Sequence, residues 1–438
     1  MSNSSDSCRS KKASEQPSVE TKDLLAEAVY RPDSKPPLQF AVFRNGAVTV
    51  EPELNLDGQV IQPPNAFLRT IEAGVVLLPS QVNEYSSQSE LVNEIRAFIH
   101  RYVDVPTFWE EMIAHYVLMT WVFDKFSAVP YLRFLGEPGT GKSRLLQIGL
   151  HLTHKGISAG GATTSSPLFR IIDYFHGTVI LDEADYKTSQ AWSDHVKILN
   201  SGYMKGCPVL RSEKVGDTFE PHAFTVFGPK VIANRSRFED HALETRCITL
   251  EMQQGEVRKD IPRQLPATFF DEARELRNKL LRWRFDNYAR ITPNELALLQ
   301  LDPRLTQIGT PLYSVSESAQ FQKELASFLE RFGVEQRIQR PEAVVLEAIL
   351  RLSNASGLRV GEVAKKAQGI AQNFGFEPDE FSPRRVGELI RSFGFHTHKQ
   401  RDGYHFSATA ERLKELSEYY GIRPNGTPEP KTVNVVNV

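Results

Sequence analysis

Residues 136–143, Gly-Glu-Pro-Gly-Thr-Gly-Lys-Ser, match the phosphate-loop pattern G-x-x-x-x-G-K-[ST] at every position. The glycines allow the backbone to curl so that its N–H groups converge on phosphate oxygens. Lys142 would place a positive charge on the β- and γ-phosphates, and the Ser143 hydroxyl would be a ligand of Mg²⁺. The pattern therefore predicts a site for ATP and Mg²⁺. The residues predicted to bind the nucleotide are Gly136, Glu137, Pro138, Gly139, Thr140, Gly141, Lys142, Ser143 and Arg144.

Two carboxylates, Asp182 and Glu183, follow the apolar run at residues 178–181. A buried strand beside the phosphate loop would deliver Asp182 to the Mg²⁺, and Glu183 would polarise the attacking water. An apolar run that ends in Asp-Glu is common by chance. Its position 39 residues after Ser143 makes the combination much more specific. Asp185 is better explained as a helix cap than as a catalytic residue.

A strand and a helix must hold the phosphate loop. Residues 131–135 are apolar enough for a strand, and a helical pattern begins at Lys142, where the helix N-terminus adds the positive end of its dipole. Short apolar runs alternate with helical stretches from about residue 130 to 252, which predicts a mainly parallel α/β sheet. A glycine-rich turn that matches by chance is disfavoured, because Lys and Ser both follow a strand. The predicted strands span residues 131–135, 178–181, 225–227, 231–233 and 247–250.

Composition excludes several classes of protein. The chain has 438 residues, 40% hydrophobic and 24% charged, which argues against wholesale disorder and suggests about three domains. Its net charge of −2 gives no overall indication of nucleic-acid binding. Three distant cysteines form no disulfide framework or zinc site, so a reducing, cytoplasmic location is expected. The longest apolar run, residues 112–123, is shorter than the roughly 20 residues that span a membrane, so no membrane partner is expected.

With these motifs the chain resembles the AAA+ ATPases, and more closely the minichromosome-maintenance-like and primase-associated helicases of bacterial mobile elements and phages, over about residues 90–410. The resemblance implies that Asn234, at the end of a predicted strand, is the sensor-1 residue that helps to hold the water. It also implies that Arg246 is the arginine finger, which reaches the γ-phosphate held by a neighbouring protomer. A turn-forming role is the alternative for Asn234. A surface ion pair with Glu239 or Glu244 is the alternative for Arg246.

Other arginines compete for the roles that this resemblance implies. Arg235 and Arg237 are alternatives for the finger, and Arg263 and Arg274 are both plausible as the sensor-2 residue of the lid. The resemblance further implies a hairpin before sensor 1 that grips nucleic-acid backbone in a central channel. Its arms would be residues 209–212 and 219–224, with Lys214 and Gly216 near the tip. The candidate phosphate contacts are Lys205, Arg211 and Lys214; an ordinary solvated hairpin is the alternative.

The C-terminal residues 341–421 have the pattern of a winged helix, with a capped helix at 382–394 followed by a hairpin at 395–406. Five basic residues against two acidic ones give residues 382–405 a net charge of +3, where a recognition helix and wing would meet DNA. A protein-docking role is the alternative, and a metal site at His396, His398 and His405 is a weaker one. The basic candidates are Arg384, Arg385, Arg391, Lys399 and Arg401.

The expected fold is α/β: a P-loop AAA+ domain, with a parallel sheet flanked by helices, plus an N-terminal extension, a helical segment and a C-terminal winged-helix domain. Asn45-Gly46 predicts a hairpin turn in the extension. Two helices, near residues 89–101 and 107–126, are expected before the sheet. The predicted parts are a disordered tail (1–22), a small β-rich segment (23–88), the ATPase core with leading helices (89–260), a helical lid or linker (261–340), the winged helix (341–421) and a disordered tail (422–438).

The expected function is an ATP-dependent DNA helicase or translocase, a homo-oligomer expected to be a hexamer, that replicates a phage or mobile element. Its partners would be single-stranded or forked DNA and a separate primase or initiator protein. One alternative is an ATP-switched initiator or helicase loader that assembles on DNA without translocating. The other is a P-loop phosphotransferase for a small molecule, which would need neither Glu183 nor Arg246 nor a winged helix.

Overall fold

Two small β-sheets form the beginning of the described chain. A computed structural model describes residues 14–160, 163–182, 190–215, 217–238, 240–255, 257–352 and 357–422. The strands are β1 (Ser14–Glu15), β2 (Ser18–Glu20), β3 (Leu24–Tyr30), β4 (Leu38–Arg44), β5 (Ala47–Glu51), β6 (Leu54–Leu56) and β7 (Gln59–Gln62). Four pair in the antiparallel order β2-β3-β4-β5, and the others in the order β1-β7-β6. Asn45 and Gly46 have φ values of 52° and 80° and join β4 to β5, so the predicted hairpin turn is confirmed.

The predicted tail at residues 1–22 is wrong for residues 14–22, because β1 and β2 lie there. Ser18 pairs with Glu27 in β3, and the side chain of Val19 is buried. Strand β2 has only three residues and one buried side chain, so the sequence shows no alternation of apolar and polar residues that would predict it. Residues 1–13 lie outside the described part of the chain.

Two helices precede the central sheet, as predicted. After α1 (Leu68–Glu72) and β8 (Val76–Leu77), the chain forms α2 (Gln88–Tyr102) and α3 (Thr107–Thr120). Ser87 caps α2 by accepting the N–H of Glu90 at 3.2 Å. Helix α3 is buried almost all round and ends before the predicted residue 126, because a 3₁₀ turn follows at Phe123–Lys125.

A six-stranded sheet with helices packed against it forms the middle of the chain. Its order is β15-β9-β14-β11-β10-β8, and all pairs are parallel except β10 with β8. The mixed α/β architecture with a parallel sheet is therefore confirmed. The elements are β9 (Tyr131–Leu135), α4 (Lys142–Leu152), β10 (Gly156–Ala159), α5 (Ser165–Phe175), β11 (Val179–Asp182), α6 (Gln190–Ser201), β12 (Val209–Val215), β13 (Thr218–Phe224), β14 (Lys230–Asn234), α7 (His241–Glu244) and β15 (Cys247–Glu251).

The predicted strand at residues 225–227 is wrong. Val226 and Phe227 are buried, but they lie in the connection between β13 and β14, and the carbonyl of Val226 accepts a hydrogen bond from the Lys230 ammonium at 2.8 Å. The apolar run at residues 225–227 is therefore a buried connection that does not pair with a strand of the sheet. Strand β10 was not predicted, because Gly-Ile-Ser-Ala is too short and too small to signal a strand.

The remaining elements are mainly helical. They comprise α8 (Ala267–Asn287), α9 (Pro303–Val315), α10 (Ala319–Ile338), α11 (Pro341–Arg351), β16 (Leu358–Arg359), α12 (Val360–Ile370), α13 (Pro383–Ser392), β17 (Thr397–Gln400), β18 (Gly403–Phe406) and α14 (Ala410–Tyr420). The chain divides into two compact units, residues 1–325 and 326–438, each with its own contacts. In the second unit β16, β18 and β17 form an antiparallel sheet beside α11, α12 and α13. The predicted tail from residue 423 onward lies outside the described residues.

Candidate nucleotide site

The loop between β9 and α4 has a backbone that glycine alone suits at several points. Gly139 and Gly141 have φ values of 85° and 95°, in the left-handed region. A Cβ placed on Gly136 would lie 2.5 Å from the carbonyl oxygen of Met252, which is closer than a real Cβ approaches. Helix α4 begins at Lys142 with Gly141 as its N-cap. The strand, the glycine-rich loop and the helix therefore follow one another as the sequence predicts.

The side chains of the loop fold onto its own carbonyl groups. The Lys142 ammonium donates to the carbonyl of Gly136 and, at 2.7 Å, to that of Glu137. The Thr140 hydroxyl donates to the carbonyl of Glu137 at 2.9 Å. The Lys142 ammonium thus lies next to the backbone of the loop. Glu137, Gly139 and Thr140 are at least partly exposed.

Arg144 joins the loop helix to two other segments. Its guanidinium donates to the carbonyls of Tyr102 at 3.3 Å, Pro262 at 3.1 Å and Arg263 at 3.1 Å. These carbonyls belong to the end of α2 and to the connection before α8. Arg144 therefore anchors the two segments that flank the loop. The sequence did not predict these contacts, because every residue has a backbone carbonyl and no residue type indicates such an acceptor.

Polar residues from neighbouring strands come together at the carboxyl edge of the sheet. Asp182 ends β11 and pairs with Ala233 of β14, while Asn234 ends β14 and pairs with Leu135, just before the phosphate loop. The carbonyl of Asn234 accepts the N–H of Gly136 at 3.1 Å. Strand β14 thus lies between the strand of the loop and the strand of Asp182. Glu183 lies outside the described residues.

The side chain of Asn234 is buried in an unusual way. The residue is only 3% exposed, and among the described residues its Oδ1 atom has no hydrogen-bond donor. An unsatisfied buried amide oxygen costs about 1–3 kcal/mol, so natural proteins seldom keep one without a reason. A turn-forming role does not require this burial. Its Oδ1 atom can accept a hydrogen bond from a donor, and Asn234 lies at the end of β14, next to the strand that leads into the loop.

Arg246 lies just before β15, the edge strand of the sheet. Its guanidinium carbon lies 4.2 Å from the centroid of the Tyr203 ring, and Nη1 donates to Oδ1 of Asn200. Glu244, one of its predicted ion-pair partners, instead binds Arg133 through both carboxylate oxygens. The alternative of an Arg246–Glu244 ion pair is therefore not what the structure contains.

The competing arginines have other surroundings. Arg237 lies 3.4 Å from Glu244 and also pairs with Glu251, whereas Arg235 is exposed directly after β14. Glu239, the other residue considered as a partner for Arg246, lies outside the described residues.

The two arginines considered for the sensor-2 role lie on the surface. Arg263 is exposed, and Arg274 pairs with Asp271 at 2.6 Å. Two arginines of α8, Arg277 and Arg284, are buried, and Arg277 donates to the carbonyls of Leu78 at 3.1 Å and His151 at 2.8 Å. Burial lowers the pKa of Arg277 to about 10. Its contacts bind helix to sheet, which is a structural role.

The pair of Arg133 and Glu244 was missed by sequence reasoning. Arg133 is fully buried in β9, and its Nε donates to the Thr249 hydroxyl at 3.1 Å. Burial alone would raise the pKa of Glu244, but the hydrogen bonds from Arg133 hold it below the usual value. Glu244 also accepts the N–H of Phe238 at 2.6 Å. The pair thus fixes the turn that leads to Arg246, and an arginine inside the apolar run Tyr-Leu-Arg-Phe-Leu was the available signal.

The predicted hairpin is present as β12 and β13, with Lys214 directly opposite Phe219 near the tip. Arg211 and Glu213 occupy one face and contact α5: the Arg211 guanidinium stacks 4.5 Å from the Phe169 ring, and Glu213 pairs with Arg170 at 2.5 Å. Gly216 lies outside the described residues.

The opposite face of the hairpin points to solvent. It carries Leu210, 68% exposed, and Phe219, 73% exposed, together with Lys214. Lys205 precedes the hairpin, and its ammonium donates to the carbonyl of Asp124. Of the three basic candidates, Lys214 is the one on the exposed hairpin face.

The five basic candidates of the second unit are all exposed. Ser382 caps α13 by accepting the N–H of Arg385 at 3.4 Å, as predicted. Arg384 lies 3.5 Å from Glu388, and Arg385 lies 3.6 Å from Glu380. The Arg384 side chain is 91% exposed and the Arg385 side chain 45% exposed. In the hairpin of β17 and β18, Lys399 lies opposite Tyr404, which is 52% exposed.

Within the described ranges, no group of three or more His, Cys, Asp or Glu side chains could hold a metal ion, so His396, His398 and His405 form no such cluster. No helix in the same ranges is both long and apolar enough to cross a membrane.

No family model matches the chain, and no curated protein matches it. Among solved structures, the NrS-1 C-terminal region is 12% identical, with 88% of this chain and 96% of that chain covered, at a TM-score of 0.37. A second structure of that region is 11% identical at a TM-score of 0.38. JCV helicase bound to a small molecule is 15% identical, with 57% of this chain and 62% of that chain covered, at a TM-score of 0.25. Similarities this weak say nothing further about the function of this chain.

Proposed function

We propose that this protein is an ATP-driven, ring-forming DNA translocase of the AAA+ type, which acts as the replicative helicase of a phage or mobile element. The observation that carries the proposal is the meeting of three groups at one edge of the sheet. These are the phosphate loop after β9, the buried and unsatisfied amide oxygen of Asn234, and the carboxylate of Asp182. The loop follows β9, Asn234 ends β14 and Asp182 ends β11, and these three strands are adjacent in the order β9-β14-β11.

ATP and Mg²⁺ fit the residues at this edge. With the left-handed glycines, the backbone N–H groups of the loop would converge on phosphate oxygens, and the start of α4 would add the positive end of its dipole. Ser143 and Asp182 would hold Mg²⁺, which supplies charge neutralisation on the phosphate oxygens. Lys142 would leave its carbonyl acceptors for the β- and γ-phosphates. Glu183 would polarise the attacking water, and Asn234 would orient that water through its free oxygen.

A neighbouring copy would complete the site. Arg246 directly precedes β15, a strand at the edge of the sheet, and would exchange its contacts with Asn200 and Tyr203 for the phosphate of another subunit. An arginine supplied in trans stabilises the charge that develops on the transferring phosphoryl group. This arrangement requires an assembly in which each subunit holds nucleotide on one side and offers Arg246 on the other; a hexameric ring satisfies it.

DNA would bind the exposed hairpin face. Lys214 and Phe219 are paired across the strands, so a cation for phosphate and a ring for base stacking lie side by side. Lys399 and Tyr404 repeat the combination in the second unit, where α11, α12, α13 and the hairpin have the order of a winged helix. Contacts of this kind are independent of sequence, as a motor requires.

The test measures ATPase activity with and without single-stranded DNA, together with unwinding of a forked duplex. The proposal predicts that DNA stimulates hydrolysis and that the fork is opened in an ATP-dependent way. ATP-dependent assembly on DNA with no strand displacement would instead identify an initiator or loader. Hydrolysis by a monomer with no response to DNA would refute both functions.

The hairpin is tested separately. Lys214→Ala should weaken single-stranded DNA binding and reduce the slope of log affinity against log salt by about 1, because one phosphate contact is lost. Phe219→Ala should cost about 1–3 kcal/mol of binding through lost base stacking. Lys22→Ala, an exposed lysine between β2 and β3, is the control. Equal affinities for Lys214→Ala, Phe219→Ala and the control would remove the hairpin from the DNA site.

A further inference from the structure

A fully buried lysine lies at the beginning of β14, the strand that ends at Asn234. Lys230 is 0% exposed, and its ammonium donates to three backbone carbonyls. The acceptors are Gly202 at 3.1 Å, Val226 at 2.8 Å and Gly228 at 2.7 Å. An ammonium group has three N–H donors, so these carbonyls account for all of them.

The amino group of Lys230 has no carboxylate partner among the residues that the structure describes. Burial alone lowers the pKa of Lys230 to about 7. Lysines are almost never fully buried without a partner of opposite charge, because burial of the charge costs free energy. An apolar side chain would avoid this cost, so the presence of the amino group indicates that its three contacts have a purpose.

The three carbonyls belong to the two ends of the β12–β13 hairpin. Gly202 lies between α6 and β12, whereas Val226 and Gly228 lie between β13 and β14. The N–H of Gly228 also donates to the carbonyl of Gly202 at 3.0 Å. A Cβ placed on Gly202 would lie 2.5 Å from the Val226 carbonyl oxygen and closer still to the Lys230 ammonium, so glycine is needed at this position. Both ends of the hairpin are therefore tied to the first residue of β14.

Neighbouring elements fix the position of Lys230 itself. Its Nζ lies 5.1 Å from the centroid of the Tyr131 ring in β9, and the Tyr131 hydroxyl donates to the carbonyl of Leu199 in α6 at 2.7 Å. The Tyr116 hydroxyl of α3 donates to the carbonyl of Lys230 at 2.9 Å. Strand β14 is buried along its whole length and pairs with β9 and β11. The amino group is thus part of the packed sheet and not of the exposed hairpin.

We propose that Lys230 is a positioning residue that fixes the base of the hairpin to β14 and thereby controls how Lys214 and Phe219 are presented to DNA. The inference rests on the proposed function and adds to it a residue that contacts neither DNA nor nucleotide. With the three contacts in place, a shift of β14 on nucleotide binding displaces the hairpin, because coupling passes through hydrogen bonds and packed strands. Without them, the hairpin keeps its contacts with α5 through Arg211 and Glu213, but its two ends lose their common attachment to β14.

The test compares Lys230→Met, which keeps the length of the side chain but removes its donors, with the control Lys279→Met. Lys279 lies in α8 and pairs with Glu94 at 2.7 Å. ATP hydrolysis by Lys230→Met without DNA should equal that of the parental protein, whereas the stimulation by single-stranded DNA should fall about 3- to 30-fold. Lys279→Met should keep the parental stimulation. A loss of stability alone would lower both rates together, so their ratio separates positioning from folding.

Hydrogen–deuterium exchange gives a second measurement that needs neither DNA nor turnover. A non-hydrolysable ATP analogue should slow exchange at residues 136–146 through binding, and it should also change exchange at residues 209–224 of the parental protein. The second response should be absent from Lys230→Met and present in Lys279→Met. The parental part of the measurement needs no substitution, so it remains decisive if Lys230→Met does not fold.

The results that would overturn the inference differ from those that would overturn the proposed function. Equal DNA stimulation of Lys230→Met, Lys279→Met and the parental protein would exclude Lys230 and leave the proposed function standing. A parental hairpin whose exchange ignores the analogue, while residues 136–146 respond, would also exclude the coupling through β14. If the parental protein hydrolyses no ATP and residues 136–146 do not respond, the proposed function itself fails.

Discussion

Replacement of Glu27 should unfold the first unit at a markedly lower temperature. Glu27 lies in β3, is 1% exposed, and bonds to the Lys155 ammonium at 2.9 Å and to the Arg284 Nε at 2.8 Å. Arg284 also pairs with Asp124 at 2.9 Å. The network thereby joins the N-terminal sheet to Lys155, directly before β10, and to helix α8. Glu27→Ala would leave two buried cations facing each other across an empty carboxylate position.

The magnitude follows from what each cation retains. Removing one partner of a buried ion pair costs about 3–5 kcal/mol. The lower end is expected, because Arg284 keeps Asp124 and Lys155 keeps the Ser18 hydroxyl. At about 2 °C per kcal/mol for a unit of this size, a loss of about 3 kcal/mol should lower the transition temperature by about 6 °C.

Tryptophan fluorescence measures this transition selectively, because all four tryptophans lie before residue 326. The control is Glu51→Ala in strand β5 of the same sheet, whose partly exposed pair with Arg44 at 3.6 Å is worth about 0–1 kcal/mol. A Glu27→Ala transition within 1–2 °C of the control, roughly the uncertainty of such a melt, would refute the reasoning from the buried network.

The same residue gives a pH dependence. Burial alone would raise the pKa of Glu27, but Lys155 and Arg284 outweigh burial and hold the pKa well below its usual range. Burial lowers the pKa of the neighbouring His154 to about 4, so this ring is neutral at pH 7. A depressed carboxyl pKa stabilises the fold above the unfolded value of about 4.3, and this stabilisation is lost as the pH falls through the folded value. The parental transition should therefore decline more steeply below about pH 4.3 than that of Glu27→Gln.

Three further substitutions test the nucleotide site. Gly136→Ala should abolish binding of a fluorescent ATP analogue, because its Cβ would lie 2.5 Å from the Met252 carbonyl; tight binding would refute the loop geometry. Glu183→Gln should bind the analogue normally but hydrolyse ATP at least about 100-fold more slowly, since general-base assistance is lost, and a parental rate would exclude Glu183. Glu244→Ala should lower the free energy of unfolding by about 3–5 kcal/mol, because it leaves Arg133 buried without its carboxylate. The variant should therefore unfold at a lower temperature, and an unchanged transition would show that the pair is dispensable.

The glycine-rich loop between β9 and α4 and the parallel sheet were predictable because their signals are local. A strand, three glycines, Lys142 and Ser143 are consecutive, and short apolar runs separated by helical stretches leave few other arrangements. The position of β14 between β9 and β11 was not predictable, because strand order is set by tertiary packing. The adjacency of Asp182 and Asn234 therefore appears only in the structure.

Long-range charge pairs escaped prediction for the same reason. Glu27 meets Arg284 across 257 positions, and Arg133 meets Glu244 across 111, so no periodicity connects them. On the hairpin, strand parity decides which basic side chain is exposed: Arg211 and Lys214 lie on opposite faces because successive residues alternate. The contacts of Arg211 with Phe169 and of Glu213 with Arg170 show which face meets α5.

The central claim, that ATP is hydrolysed between two copies of the chain, is tested most directly by mixing inactive variants across a dilution series. Arg246→Ala and Lys142→Ala should each be inactive alone. Their mixture should recover hydrolysis, because an intact loop then meets an intact Arg246, and parental activity per subunit should fall on dilution as the assembly dissociates. Activity per subunit that is independent of concentration, with no recovery in any mixture, would contradict the account.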